Sequence, residues 1–158
     1  MNSNSDALCP FTPQHFGWGS FMNKVSAAMW RGSNDKVYLF DQLHYLRYSD
    51  VDDGRDAGYP APVAGNWLNI PLSYMDGFDA ALWRESNGKI YFFNGDEYIR
   101  IDGETSTMDP GYPQPIAGNW PGLPASFNEG IDAAFWRESN NKIYLFKGNE
   151  YVLSLIHI

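Results

Sequence analysis

One short motif returns twice at a constant spacing. Ala27-Ala28-Met29-Trp30-Arg31 is followed by Ala80-Ala81-Leu82-Trp83-Arg84 and by Ala133-Ala134-Phe135-Trp136-Arg137, each copy 53 residues after the last. The agreement runs on downstream. Tyr38, Tyr91 and Tyr144 align, as do Phe40, Phe93 and Phe146, and then Tyr45, Tyr98 and Tyr151. Later in the unit, Gly58-Tyr59-Pro60 matches Gly111-Tyr112-Pro113, and Ala64-Gly65-Asn66-Trp67 matches Ala117-Gly118-Asn119-Trp120. A period of this length means stacked supersecondary units, none of which buries its apolar side alone.

The unit reads as β-structure. Lys36–Phe40, Lys89–Phe93 and Lys142–Phe146 are apolar on both faces of a period-2 pattern and rich in aromatic and β-branched residues. A small-residue run precedes each, and a more openly alternating run such as Tyr98–Asp102 follows it, which predicts three strands per unit. Asn87-Gly88 predicts a type I′ hairpin between the first two strands. Asn94-Gly95-Asp96 and Lys147-Gly148-Asn149 predict the next turn. The Pro- and Gly-rich stretch Asp109–Pro124 predicts an irregular outer strand or short helix. A repeated meander of this kind is a propeller blade. The geometry accounts for the pattern: blades crowd at the axis, where Ala27, Ala80 and Ala133 fit, and a middle strand sandwiched between blades is apolar on both faces. The predicted class is all-β, a β-propeller.

The residues resemble hemopexin repeats. Phe78-Asp79-Ala80-Ala81, Tyr91-Phe92-Phe93, Gly95-Asp96-Glu97-Tyr98 and Arg100-Ile101-Asp102 follow that family's order, and Ile131–Val152 repeats most of it. The first unit departs, with Ser26 for the Asp and no glycine in Asp41-Gln42-Leu43-His44. Blades are expected at about 25–77, 78–130 and 131–158, after an N-terminal leader at 1–24. The resemblance implies a four-bladed ring with a central channel. Two complete blades and a partial third are counted, so the ring is expected to be incomplete. The ending Ser154-Leu155-Ile156-His157-Ile158 is similar to a translated sequencing-adapter tail, and a truncated frame is expected, the alternative being a divergent natural end with closure by a second chain.

Composition narrows the partners. A formal net charge of -8 repels phosphate backbones and anionic lipid surfaces, so neither nucleic acid nor membrane is expected. A lone cysteine, Cys9, excludes an intrachain disulfide. Met1–Asp6 lacks the basic and apolar stretches of a secretory leader, and a cytoplasmic location is the default expectation.

Within the resemblance, the innermost strands aim backbone carbonyls into the channel. Ser26, Asp79 and Asp132 are the candidate ring for calcium or sodium, with Ala28, Ala81 and Ala134 a step further along. The competing reading is that the two Asp side chains only bond neighbouring backbone. Trp30, Trp83 and Trp136 are expected in the core, and Arg31, Arg84 and Arg137 as interblade salt-bridge partners, against the alternative of an anion site. Trp67 and Trp120 are candidate ligand-stacking residues, against the alternative of packing under the outer strand. No motif pairs a nucleophile with a base, so no enzyme is expected. Haem is disfavoured, since Cys9-Pro10 alone is thin support for an axial ligand.

These readings predict a binding or scaffolding module for a protein or small ligand, with a cation on the axis and self-association through open blade faces. The alternatives are an accessory domain of a larger enzyme or toxin, and a store or sensor for a small ligand such as a polyamine or haem.

Overall fold

The structure, a computed structural model, describes residues 25–49 and 54–154. The expected leader at 1–24, with Cys9, and also His157 lie outside the described residues. Each repeat folds as an antiparallel meander. The first contains β1 (Ala27–Arg31), β2 (Lys36–Phe40) and β3 (His44–Ser49), with β4 (Gly54–Arg55) and β5 (Ala61–Pro62) on the outer side of β3. A short helix, α1 (Leu72–Met75), leads to the second. There β6 (Ala80–Arg84), β7 (Lys89–Asn94), β8 (Glu97–Asp102) and β9 (Gln114–Pro115) pair in sequence order. A 3-10 turn at Ala125–Glu129 leads to β10 (Ala133–Arg137), β11 (Lys142–Lys147) and β12 (Glu150–Ser154). The register repeats: Trp30 faces Val37, Trp83 faces Ile90 and Trp136 faces Ile143.

The first strand of each meander approaches the first strand of the next, β1 to β6 and β6 to β10. These are the inner strands of three propeller blades. Successive side chains of a strand point to opposite faces, and the core follows this alternation. Ala27, Met29 and Phe40 of blade one pack with Ala81, Trp83 and Phe92 of blade two. Ala80, Leu82 and Phe93 of blade two pack with Ile143, Leu145 and Trp136 of blade three. Blade two is covered on both sides, so β6 is buried along its whole length and Ile90, Phe92 and Phe93 are fully buried. Burying such a side chain contributes about 1.5–3 kcal/mol.

One turn differs from expectation. A type I′ hairpin needs positive φ at both central residues, and the first turn does not form one. Glu85–Asn87 makes a 3-10 turn and only Gly88 is left-handed, with φ 64°. Asp35 and Asn141 take the same conformation in the other blades. The side chain at the preceding Asn explains the choice: Asn34, Asn87 and Asn140 each donate an amide hydrogen to the hydroxyl of Tyr38, Tyr91 and Tyr144, all at 2.9 Å. The turn is thereby tied to the middle strand of its own blade.

Candidate functional site: the axial cavity and the blade junctions

The inner strands line an open cavity of about 260 Å³. It is lined from all three blades by Ala28, Ala81 and Ala134, by Trp30, Trp83 and Trp136, and by the carboxylates Glu85 and Glu138. Small residues at the first two strand positions leave the space, and the tryptophans wall it further along. Blade one has Gly32 where the others have Glu85 and Glu138. A Cβ on Gly32 would lie 2.9 Å from Glu85 Oε2, so the missing side chain makes room for that carboxylate. Trp83 Nε1 donates to the same oxygen.

Trp83 is the centre of a junction between blades one and two. The guanidinium of Arg31 stacks 4.9 Å from the centroid of its ring and donates from Nη2 to the Gly103 carbonyl. Arg84 stacks over Trp136 in the same way at 5.4 Å. The arginines therefore do reach across to the next blade, as the sequence suggested. Across each junction the guanidinium meets a ring face. Each guanidinium is steadied within its own blade: Nε donates to Ser33, Ser86 and Ser139 at 3.0, 3.0 and 3.1 Å.

The candidate cation residues sit at the other end of the inner strands. Asp79 and Glu85 are six residues apart on extended chain, about 20 Å. Asp79 Oδ2 accepts the Gly95 amide at 2.8 Å, and Asp132 Oδ2 accepts the Gly148 amide at 2.7 Å. Asp132 also meets Lys147 at 3.8 Å. Ser26 Oγ donates to the Phe40 carbonyl at 3.4 Å. These side chains anchor each inner strand to its own blade. A hard cation wants six to eight oxygens, and no group of three or more His, Cys, Asp or Glu side chains gathers among the described residues. The side chains of Ser26, Asp79 and Asp132 do not gather into a calcium cage among the described residues, and the expectation concerns their main-chain carbonyls.

Trp67 and Trp120 are corrected. They are 3% and 2% exposed and cannot serve as a stacking surface. Trp67 fills an aromatic box of Tyr38, Tyr45 and Phe92, with ring centroids 5.2–6.2 Å away. Trp120 does the same with Tyr91, Phe93 and Tyr98 at 5.3–5.9 Å. Packing under the outer connection is their role.

A repeated ion cluster was not anticipated. Arg47 Nε bonds Asp56 at 2.5 Å, and Lys36 approaches the same carboxylate at 3.3 Å. In blade two Arg100 and Lys89 meet Asp109 at 2.6 and 3.0 Å. The arginines also stack on Tyr59 and Tyr112, at 4.8 and 5.1 Å. Burial pushes the Asp56 carboxyl up, but hydrogen bonds from Ser49, Arg47 and Lys36 outweigh it and hold the group below the usual carboxylate range. The Thr105 amide first, then Lys89, hold Asp102 well below that range. The signal was present in the sequence as Lys36/Lys89, Arg47/Arg100 and Asp56/Asp109, all at the repeat spacing. These clusters fasten the outer chain to the third strand and stand away from the axis.

Comparison with known proteins agrees with this architecture. Residues 78–125 and 131–153 match the Hemopexin family. Stromelysin-1 of Equus caballus is 32% identical over 139 residues, which are 88% of this chain and 27% of the relative. Neutrophil collagenase of Homo sapiens is 31% identical over 134 residues, 85% of this chain and 26% of the relative. The chain thus spans about a quarter of the length of these relatives. Among solved structures, a plant lectin with two metal-binding sites from Cicer arietinum superposes with a TM-score of 0.70 at 27% identity, over 82% of this chain and 59% of the lectin. A seed albumin from Lathyrus sativus gives 0.68 at 23% identity, over the same shares, and shows the fold alone. Three meanders packed inner strand to inner strand, with these relatives, make the chain a hemopexin-like repeat protein.

Proposed function

We propose that the chain is a non-catalytic binding module whose axial cavity takes a cation. The observation that supports this most directly is the composition of the cavity wall: tryptophan rings from all three blades, with the carboxylates of Glu85 and Glu138 among them. Aromatic faces attract cations through their quadrupole, most of all when water is excluded. Carboxylates beside them add the matching charge. Trp83 and Trp136 already carry a guanidinium on one face, so the exposed Trp30 ring and the two carboxylates are what the wall offers, and this lining suits an organic ammonium ion better than a bare metal. A propeller supplies the rigid frame, and the loops at its two ends supply surface for a protein partner.

A second reading places calcium or sodium at the opposite mouth, on the main-chain carbonyls of Ser26, Asp79 and Asp132. The metal-binding lectin from Cicer arietinum favours it. Isothermal titration with spermidine, calcium chloride and sodium chloride separates the two. The first reading expects heat with spermidine, weakened about tenfold in Glu138→Gln, the size of one lost charge-assisted contact. Binding of calcium alone, unaffected by that substitution, supports the second. Binding of neither cation removes both.

A further inference from the structure

The charged side chains divide unevenly between the two ends of the inner strands. Arg31, Arg84 and Arg137 close the inner strands and Lys36, Lys89 and Lys142 open the middle ones, so these bases share one end with Glu85 and Glu138. The other end holds the turns at 41–44 and 94–97 and the connection at 71–79. None of the three contains a lysine or an arginine, yet together they carry Asp41, Asp76, Asp79, Asp96 and Glu97. These segments meet at the joint between blades one and two. A Cβ on Gly77 would lie 3.1 Å from the Gln42 Cα. Asn94 donates to the Ser73 carbonyl at 2.9 Å, and Asp79 accepts the Gly95 amide. Lys147 reaches this end from blade three, where it meets Asp132 at 3.8 Å.

Two further observations mark this joint as a surface for a ligand. Tyr74 is 1% exposed, and its hydroxyl is buried with no hydrogen-bond partner among the described residues. Burial first, and then the charges of Glu97, Asp79 and Asp96, push that hydroxyl up, so it stands in the field of the three carboxylates. A buried hydroxyl without a partner is a cost that an arriving polar group removes. Beside it, Leu72 is 79% exposed and Leu43 53%. Leu72 shares its short helix with Tyr74, and Leu43 follows Gln42 in the turn that Gly77 touches.

We propose that this joint docks a basic segment of a partner protein, with a lysine ammonium seated among Asp79, Asp96 and Glu97 and an apolar neighbour on Leu72. Charge complementarity selects the occupant: carboxylates gathered without a base steer a cation in and turn anionic surfaces away. The exposed leucines select a protein segment over a small polyamine, which has no apolar side chain to lay on them. The ammonium donates to the carboxylates and brings the Tyr74 hydroxyl the donor it lacks. The surface is separate from the axial cavity, whose carboxylates Glu85 and Glu138 stand at the opposite end of the strands.

The test is the fluorescence anisotropy of a labelled peptide of Lys-Leu-Lys repeats titrated with the full chain. A leucine-free oligolysine of equal charge and a peptide of Glu-Leu-Glu repeats are the controls. The Lys-Leu-Lys peptide is expected to bind, and to bind less tightly as salt screens the carboxylates. The Glu-Leu-Glu peptide is expected not to bind. Asp96→Asn combined with Glu97→Gln is expected to weaken binding about tenfold. Leu72→Ser is expected to lower the affinity to that of the oligolysine. Tyr74→Phe is expected to weaken binding while the urea midpoint stays as high or rises, a split that a purely structural tyrosine would not give. Glu138→Gln, in the axial cavity, is expected to leave the peptide unaffected, so this proposal and the reading of the cavity fail separately. Circular dichroism confirms that each variant is folded. Absence of binding by the wild type overturns the proposal. So does equal affinity for the Lys-Leu-Lys peptide and the oligolysine, or an affinity unchanged by the paired carboxylate substitution.

Discussion

The Arg31 guanidinium lies over the Trp83 ring, 4.9 Å from its centroid, and so joins two blades through residues 52 positions apart. The contact belongs to the packing link between sequence repeat and ring. A ring of blades has no covalent tie between inner strands, so its cohesion rests on what crosses each junction.

Trp83 is 6% exposed and fills the space beneath Arg31. Trp83→Ala is expected to cost about 3–5 kcal/mol of unfolding free energy, as for other buried aromatics. Arg31→Ala is expected to cost about 0.5–2 kcal/mol, the range for a stacked cation. Urea denaturation of the single and double variants checks both. The cycle should return a favourable coupling of roughly 1 kcal/mol.

Gly103 lies against the same ring. A Cβ there would sit 2.7 Å from the Gly88 carbonyl oxygen and would also strike Trp83. Gly103→Ala is expected to destabilise by about 1–3 kcal/mol through overpacking, seen as an earlier urea midpoint. Gly103→Ala combined with Trp83→Phe should recover part of the loss.

Much of this was legible in the repeat. The 53-residue spacing and the doubly apolar middle strands carry the blade, its strand order and its inner alanines. The junctions were less legible. A recurring arginine next to a recurring tryptophan gives no sign in one dimension that it stacks on the tryptophan of the following repeat. Trp67 and Trp120 misled for a related reason: a tryptophan after Gly-Asn looks like a loop residue. Its burial depends on a connection folding back across the rings of its own blade. The turn at Ser86-Asn87-Gly88 went its own way because Asn87 bonds Tyr91, a side-chain preference that overrides the Asn-Gly hairpin signal.

Phe93 and Phe146 occupy the same register in neighbouring blades, yet Phe93 is fully buried and Phe146 is only partly covered. Phe93→Ala is expected to cost about 3–5 kcal/mol. Phe146→Ala should cost less than half as much in the monomeric protein. Equal losses in thermal or urea unfolding would contradict the sandwiching of blade two.

Stability should fall in acid through the ion clusters. Asp56 has a folded-state pKa below its unfolded value of about 3.9. Such a group stabilises the protein above the unfolded pKa and loses that contribution as pH drops through the folded one. Asp56→Asn is expected to lower stability at neutral pH by about 1–2 kcal/mol, from lost charged hydrogen bonds. It should also flatten the acid limb of a plot of unfolding free energy against pH. An unchanged limb would show that other carboxylates carry it.

The Asp79 carboxylate is committed to the Gly95 amide. Asp79→Ala is expected to cost about 0.5–1.5 kcal/mol. It should leave any calcium affinity nearly unchanged, since only the main-chain oxygen would serve the ion. A large loss of calcium binding would instead assign the side chain to the metal.

The central claim is that Ala81 and Ala134 line one axis shared by all three repeats. Nuclear Overhauser spectra of methyl-labelled protein test it most directly. Cross-peaks are predicted from Ala81 to Met29 and from Ala134 to Leu82, each linking adjacent repeats. Alanine methyls that show contacts only within their own repeat would contradict the propeller and everything built on it.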